Sequence, residues 1–242
     1  MPQGLVISDL HLFSRRSRAE ELLTEMAGVV TEAGILVLNG DVFDFRWSTL
    51  PGREATIAAA LMWLDGLLSR RGERPTHYLL GNHDCVTGFT ERLDGIAALR
   101  PSFRWHRTHT LIGRNLFLHG DCANRSMDAA ALGRFRGAWS RDRQRGPLGR
   151  ALYDGADRLG ASRLVHDMWF PRRITVRRVA HHLDHVLPDW KQRVDHCFFG
   201  HTHLPFADHR HEGVLFHNTG SAIRGMEFRP LAFTCGEGAA TS

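Results

Sequence analysis

The sequence predicts an α/β fold built around a parallel sheet, and three observations carry that prediction. Short apolar runs at residues 4–8, 35–38 and 77–80 alternate with helical stretches at 18–33 and 54–68. Each run stops at a loop holding Asp, Asn or His. A βαβαβ order of this kind gathers such loops at the carboxyl ends of parallel strands, the usual place for an α/β site.

The first strand, residues 4–8, ends in Asp9-Leu10-His11. Across 18–33, Leu22, Leu23, Met26, Val29 and Val30 fall on one side of a helix, which Gly34 ends. Ile35-Leu36-Val37-Leu38 reads as a buried strand, followed by Asn39-Gly40-Asp41-Val42-Phe43-Asp44. Residues 54–68 form a second helix, and His77-Tyr78-Leu79-Leu80 a third strand before Gly81-Asn82-His83-Asp84. A helix at 89–99 and strands at 109–112 and 115–118 lead to His119-Gly120-Asp121. From 124 to about 187 the pattern is helical, clearest where Val176, Val179, Ala180, Leu183 and Leu187 recur. A strand at 194–199 runs into Gly200-His201-Thr202-His203, β segments follow at 214–217 and 231–234, and 236–242 reads as a frayed tail. The expected organisation is a single domain, residues 1–242, with a helical cap inserted at about 124–190.

A chain of 242 residues is long enough to bury a sizeable core, and 43% hydrophobic with 24% charged residues is ordinary for a globular protein. No uncharged apolar run reaches membrane-spanning length, and the N-terminus goes straight into a strand without the basic and apolar regions of a signal peptide. The expected location is cytoplasmic. Cys85, Cys122, Cys197 and Cys235 form no CxxC pair, which favours reduced thiols. The net charge of +5 is uneven: from Cys122 to Asp195 there are 15 Lys+Arg against 8 Asp+Glu. That asymmetry points to an anionic partner, whether a phosphorylated substrate, a lipid surface or nucleic acid, or else to an arginine-rich solvated face.

Five junctions carry the chemistry: Asp9-x-His11, Gly40-Asp41, Gly81-Asn82-His83-Asp84, His119-Gly120-Asp121 and Gly200-His201-x-His203. Read as extended chain, His201 and His203 face one way and Thr202 the other. Carboxylate and amide oxygens with imidazoles suit Mn²⁺, Fe or Zn²⁺, and seven ligands suit two ions sharing a bridging carboxylate. Such a pair activates water and clamps phosphate oxygens, so no Ser or Cys nucleophile is required.

Together these blocks resemble the signature of the calcineurin-like metallophosphoesterases. The resemblance implies a four-layer α/β/β/α sandwich with the helical insertion as a cap. It implies that Asp9, His11, Asp41 and His203 hold one metal and that Asp41, Asn82, His119 and His201 hold the other, with Asp41 bridging. It also implies a metal-bound hydroxide as the attacking group and His83 as the catalytic residue that stabilises the transition state or protonates the leaving oxygen. Asp84 is placed to orient His83. Two divalent ions are expected, Mn²⁺ first and Fe or Zn²⁺ as alternatives.

The block order, the helical stretch and His217-Asn218-Thr219-Gly220-Ser221 are also similar to the UDP-2,3-diacylglucosamine hydrolase-like branch. Those enzymes cleave a sugar-nucleotide pyrophosphate and bind acyl chains under a helical cap. Their best-known members carry Arg where this chain has His83, a departure that favours a general phosphoesterase site.

The expected protein is a hydrolase of a phosphoester or phosphoric anhydride in a small, lipid-linked or water-soluble substrate. Its basic cap is a candidate for peripheral contact with the inner membrane. The alternatives are a nuclease of the same chemistry and a non-enzymatic scaffold. Arg134, Arg136, Arg141, Arg143, Arg145 and Arg150 are candidates for phosphate or membrane contact, each weighed against plain solvent exposure. Trp139 and Trp169 read as core before ligand platform. Asp44 either contacts a metal-bound water or caps a turn, Asp121 fixes a loop or orients a ligand rather than binding metal, and Asn218 holds a turn or else reaches the site. His181 and His185 can face together on a helix, without an acidic residue to complete a metal site. Nothing in the sequence singles out substrate-binding residues.

Overall fold

Two five-stranded sheets face each other across a shared apolar layer. The computed structural model describes residues 3–146 and 168–235. In chain order the first half comprises β1 (Gln3–Ile7), α1 (Ala19–Glu25), α2 (Ala27–Glu32), β2 (Ile35–Asn39), α3 (Arg53–Arg71), β3 (Thr76–Leu79), α4 (Thr87–Leu99) and β4 (Phe103–His106). Then come β5 (His109–Ile112), β6 (Asn115–Leu118), a 3₁₀ turn at Asp121–Asn124 and α5 (Ala129–Arg141). The last described part holds α6 (Arg172–Val186), α7 (Trp190–Arg193), β7 (His196–Phe199), β8 (Phe206–His211), β9 (Val214–Asn218) and β10 (Leu231–Thr234).

One sheet runs β10-β1-β2-β3-β4 and the other β5-β6-β7-β9-β8. β1 through β4 are parallel, as are β6, β7 and β9, while β10, β5 and β8 pair antiparallel at the edges. Strand alternation sorts the side chains by layer. Val6, Val37 and Leu79 of the first sheet meet Ile112, Phe117 and Phe198 of the second in the inner layer. Ile7, Leu36, Leu38 and Tyr78 point the other way, onto a core shared with Ala19, Ile57, Leu64 and Leu93. The outer face of the second sheet packs Leu116, Cys197 and Phe199 against Leu132, Val176, Val179 and Leu183. The order of layers is therefore α/β/β/α.

Some local elements differ from the sequence reading. The expected helix at 18–33 is interrupted at Met26, where φ −100° and ψ 10° separate α1 from α2. β4 has no apolar run to announce it: only Phe103 is buried, because the strand is an edge. The helical stretch expected at 124–190 is described at its ends, as α5 and as α6 with α7, and these ends pack on the second sheet. Residues 147–167, with Arg150, and the tail at 236–242 lie outside the described residues. No described helix is long and apolar enough to cross a membrane.

Candidate metal centre

The loops after β1, β2, β3, β6 and β7 converge at one end of the sandwich, because those strands are parallel within each sheet. Backbone hydrogen bonds tie the loops together. Asp9 N donates to Gly40 O at 3.0 Å, His11 N to Asp41 O at 2.9 Å, and Gly200 N to His119 O at 2.8 Å. Asn39 reaches across the sheets, donating through Nδ2 to Leu118 O at 2.9 Å and Phe198 O at 3.2 Å.

Five residues here hold left-handed backbone without being glycine: Asp9 (φ 53°), His11 (48°), Asp41 (51°), His201 (64°) and His203 (59°). Such conformations cost about 1–3 kcal/mol each and persist where the surroundings impose them. The finding corrects the reading of Gly200-His201-Thr202-His203 as extended. His201 and His203 enter the site by two left-handed turns, and they serve different clusters. Glycines admit the close approach. A Cβ at Gly81 would stand 2.1 Å from Asp41 Oδ1, and one at Gly200 would stand 2.1 Å from Asp9 Oδ2.

The donor atoms form three overlapping sets, each with its atoms within 4.8 Å of one another: Asp9, His11 and His203; His11, Asp41 and His83; Asp41, His119 and His201. Asp9 Oδ1 lies 3.3 Å from His203 Nε2 and 3.9 Å from His11 Nε2. Asp41 Oδ2 lies 3.3 Å from His119 Nε2 and 3.9 Å from His11 Nε2. A single carboxylate oxygen thus stands between the outer sets. Asn82 is buried in the loop beside them.

The residues fit divalent cations. His119 Nδ1 lies 3.2 Å from Asn39 O, which can only accept, so that nitrogen is the donor and Nε2, facing Asp41, is the atom on which a cation would replace a proton. Asn82 Oδ1 and His201 Nε2 are buried without a hydrogen-bond partner, an arrangement that a cation would satisfy. Burial alone would raise the Asp9 and Asp41 carboxyls, but the surrounding imidazoles hold Asp9 below and Asp41 well below the usual carboxylate range. Conversely, burial disfavours charge on His83, yet the carboxylates of Asp44 and Asp41 lift it to about 9. The site is an anionic cluster drawing positive charge into a buried place.

All seven expected ligands, Asp9, His11, Asp41, Asn82, His119, His201 and His203, lie on these converging loops, and His83 joins them. Asp84 does not do what was expected of it. Its carboxylate accepts from Tyr78 Oη at 2.7 Å, Gly81 N at 2.6 Å and Val42 N at 3.0 Å, which clamps the β2 and β3 loops together and leaves nothing aimed at His83. Asp44 takes that place, with Oδ1 3.0 Å from His83 Nδ1 and Oδ2 3.5 Å from His11 Nδ1. The sequence signal for Asp44 was its position three residues after Asp41.

The helical stretch changes several readings: Trp139 and Trp169, expected in the core, are half-buried and exposed respectively, because neither side chain is enclosed between the helices and the second sheet. Trp139 of α5 places its ring 4.6 Å from that of His83, with the Arg46 guanidinium also 4.6 Å from the indole. Phe170, just before α6, lies 5.8 Å from the His201 ring. Arg136 is no surface phosphate ligand: it is buried in a two-pronged pair with Asp121, both contacts 2.7 Å. Arg134, Arg141 and Arg143 are exposed and Arg145 half-buried. Asn218 braces the His loop, donating to Gly200 O and Thr202 Oγ1. His181 and His185 do face each other, 4.5 Å apart, but no acidic group joins them among the described residues.

Comparison with known proteins matches residues 5–205 to the calcineurin-like phosphoesterase family. No curated protein matches. Among solved structures, a predicted phosphoesterase from Streptococcus pneumoniae TIGR4 is 13% identical, with 96% of this chain and 83% of that one covered and a TM-score of 0.42. A phosphopantetheinyl hydrolase from Mycobacterium tuberculosis is 15% identical over 91% and 90%, with a TM-score of 0.44. A zinc-complexed Vps29 from Entamoeba histolytica is 15% identical over 98% and 87%, with a TM-score of 0.43.

Proposed function

The chain belongs to the calcineurin-like phosphoesterase family, and as a hydrolase of phosphoester bonds we propose that it works through two divalent cations sharing Asp41. The observation that carries this reading is Asp41 Oδ2, placed between His11 of one set and His119 of the other. Asp9, His11 and His203 would complete one site, and Asn82, His119 and His201 the other. Cations bound there would supply Lewis acidity toward water and the phosphoryl oxygens. Mn²⁺ is the first candidate, with Fe and Zn²⁺ as alternatives.

The chain's own residues do the rest. Asp44 beside His83 Nδ1 favours a proton on that ring, which gives the edge of the cluster a donor. It can neutralise charge on a phosphoryl oxygen or hand its proton to the leaving oxygen. Trp139 packs against that ring, and Phe170 lies beside the ring of His201.

For substrate, we propose a small phosphoester or pyrophosphate, with an acylated sugar nucleotide of the UDP-2,3-diacylglucosamine type as the specific candidate. A cavity of about 650 Å³ between α4, α5 and α6 supports a substrate group with both apolar and polar parts, since Leu80, Leu132 and Val186 line it together with Glu91, Arg107 and His182. The test is hydrolysis by chelated protein resupplied with Mn²⁺, Zn²⁺ or Fe²⁺. Its substrates are bis(p-nitrophenyl) phosphate, a UDP-diacylglucosamine and single-stranded DNA. Preference for the lipid nucleotide supports the specific candidate. Turnover of the synthetic diester alone removes it, DNA cleavage replaces it with a nuclease, and activity that survives chelation sinks the metal reading.

A further inference from the structure

The turn Asn218-Thr219-Gly220-Ser221, which closes β9 in the second sheet, packs against Ser8-Asp9, which follows β1 in the first. Ser8, Asp9, Thr219 and Ser221 are all fully buried there. Ser221 Oγ and Ala222 N both donate to Asp9 O, at 3.0 Å each, and so hold its main chain in the left-handed conformation. The turn is itself fixed. Gly220 N donates to Asn218 Oδ1 at 2.9 Å and Arg229 N to Thr219 O at 2.8 Å. Gly220 (φ 70°) passes so close to the neighbouring strand that a Cβ would stand 2.0 Å from Glu227 O.

The two oxygens of the Asp9 side chain face different surroundings. Oδ1 faces His203 Nε2 and His11 Nε2. Oδ2 faces the protein, accepting from His201 N at 2.9 Å and from Ser8 Oγ. The same His201 N–H lies 3.1 Å from Oδ1. Ser8 Oγ also meets Thr219 Oγ1 at 2.5 Å. The direction of this chain follows from its protons. A carboxylate only accepts, and a serine hydroxyl has one proton to give. Ser8 therefore donates to Asp9 and accepts from Thr219. Two buried hydroxyls stand in series on the oxygen turned away from the cluster, and hydrogen bonds in series strengthen one another. Partners of this kind set the orientation of a metal ligand.

We propose that Thr219 and Ser8 are positioning residues, which hold Asp9 with Oδ1 turned toward the cation shared with His11 and His203. This rests on the two-cation reading above and deepens it. Thr219 acts through Ser8, and Ser8 acts on the ligand itself.

The experiment is calorimetric titration of the chelated full chain with Mn²⁺, beside urea unfolding of the same chelated protein. Wild type should take up two Mn²⁺. Ser8→Ala should weaken one of the two binding steps by about tenfold to a hundredfold, and Thr219→Val should weaken the same step by about tenfold. Thr219→Ser keeps the hydroxyl and should bind like wild type. The Ser8→Ala, Thr219→Val double variant should be no weaker than Ser8→Ala. Unchanged Mn²⁺ affinity in Thr219→Val, with only a lower urea midpoint, would overturn the proposal and leave the hydroxyl pair as a tie between the sheets. Binding by Thr219→Ser as weak as that of Thr219→Val, or additive losses in the double variant, would overturn it too. A wild type that takes up no Mn²⁺, Zn²⁺ or Fe²⁺ would overturn the two-cation reading and this proposal with it.

Discussion

The indole of Trp139, on α5, lies 4.6 Å from the imidazole of His83, on the loop after β3. A residue of the helical stretch is thus in contact with the proton-bearing group of the site. The end of α5 is held there by the Arg46–Asp142 ion pair at 3.0 Å and by Gln144 Nε2 donating to Ser48 O and Leu50 O. Trp139→Ala should lower kcat on a soluble diester by roughly tenfold with a smaller change in KM, since misplacing a catalytic group costs rate more than binding. Trp139→Phe should restore most of it. Equal kinetics for wild type and Trp139→Ala would remove Trp139 from any positioning role.

His83 and Asp44 should act as a pair. His83→Ala is expected to lower turnover by about 10²–10⁴ while bound metal stays near the wild-type level. Asp44→Asn should lower turnover less, and the double variant should be no worse than His83→Ala. Additive losses in that cycle would show that Asp44 works through something else, with His11 the next candidate because Asp44 Oδ2 is 3.5 Å from it.

Asp41 and Gly81 should fail together. Asp41→Ala removes the shared carboxylate, so metal content and turnover should fall in parallel. Gly81→Ala leaves every ligand in place but sets a Cβ 2.1 Å from Asp41 Oδ1, and should produce the same loss. Elemental analysis of the purified variants decides it: full metal content in either would contradict the shared-carboxylate reading.

Arg136→Met should destabilise the fold by about 3–5 kcal/mol, because it leaves the Asp121 carboxylate buried without its cation. The Arg136→Met, Asp121→Asn double variant should recover part of that loss in denaturant unfolding. A single variant as stable as wild type would mean that the pair is dispensable.

Acid should destabilise the metal-free protein early. His77 Nδ1 lies 3.0 Å from His106 Nε2 with the rings stacked, and burial pushes both imidazoles down to about 4. Burial does the same to His217, also to about 4. Their unfolded value is 6.5, so between 6.5 and about 4 the unfolded chain binds more protons. The stability these groups contribute is present above pH 6.5 and lost as pH falls through that window. His83 and His119, lifted to about 9 and about 10, shift oppositely; their contribution is complete below 6.5 and does not mask the loss. The urea midpoint should start to fall near pH 6.5, above the carboxylate range; a midpoint flat to pH 5 would contradict this.

The sequence by itself picked out the ligand-type residues that the loops bring together. Seven ligand-type residues stand at the ends of buried apolar strands, and the strand runs are local features that a linear reading detects. It also pointed to an α/β class with a parallel sheet in the first half of the chain, whereas the four-layer sandwich came from the resemblance to the family. What only the tertiary structure decided is how the residues are used. His201 and His203 look like neighbours on a strand, yet the left-handed turns that hold them arise from loops in both sheets locking together. Asp84 and Asp44 are both acidic residues close to a ligand, and their roles are settled by Tyr78 and Val42 in one case and His83 in the other. Arg136 is one arginine among many until Asp121 meets it in a buried place. Trp139 and Phe170 lie far along the chain from the rings they cover. These outcomes depend on contacts between residues distant in sequence, and the energy of a buried charge or a strained backbone exists only once the surrounding fold has excluded water and fixed the partner.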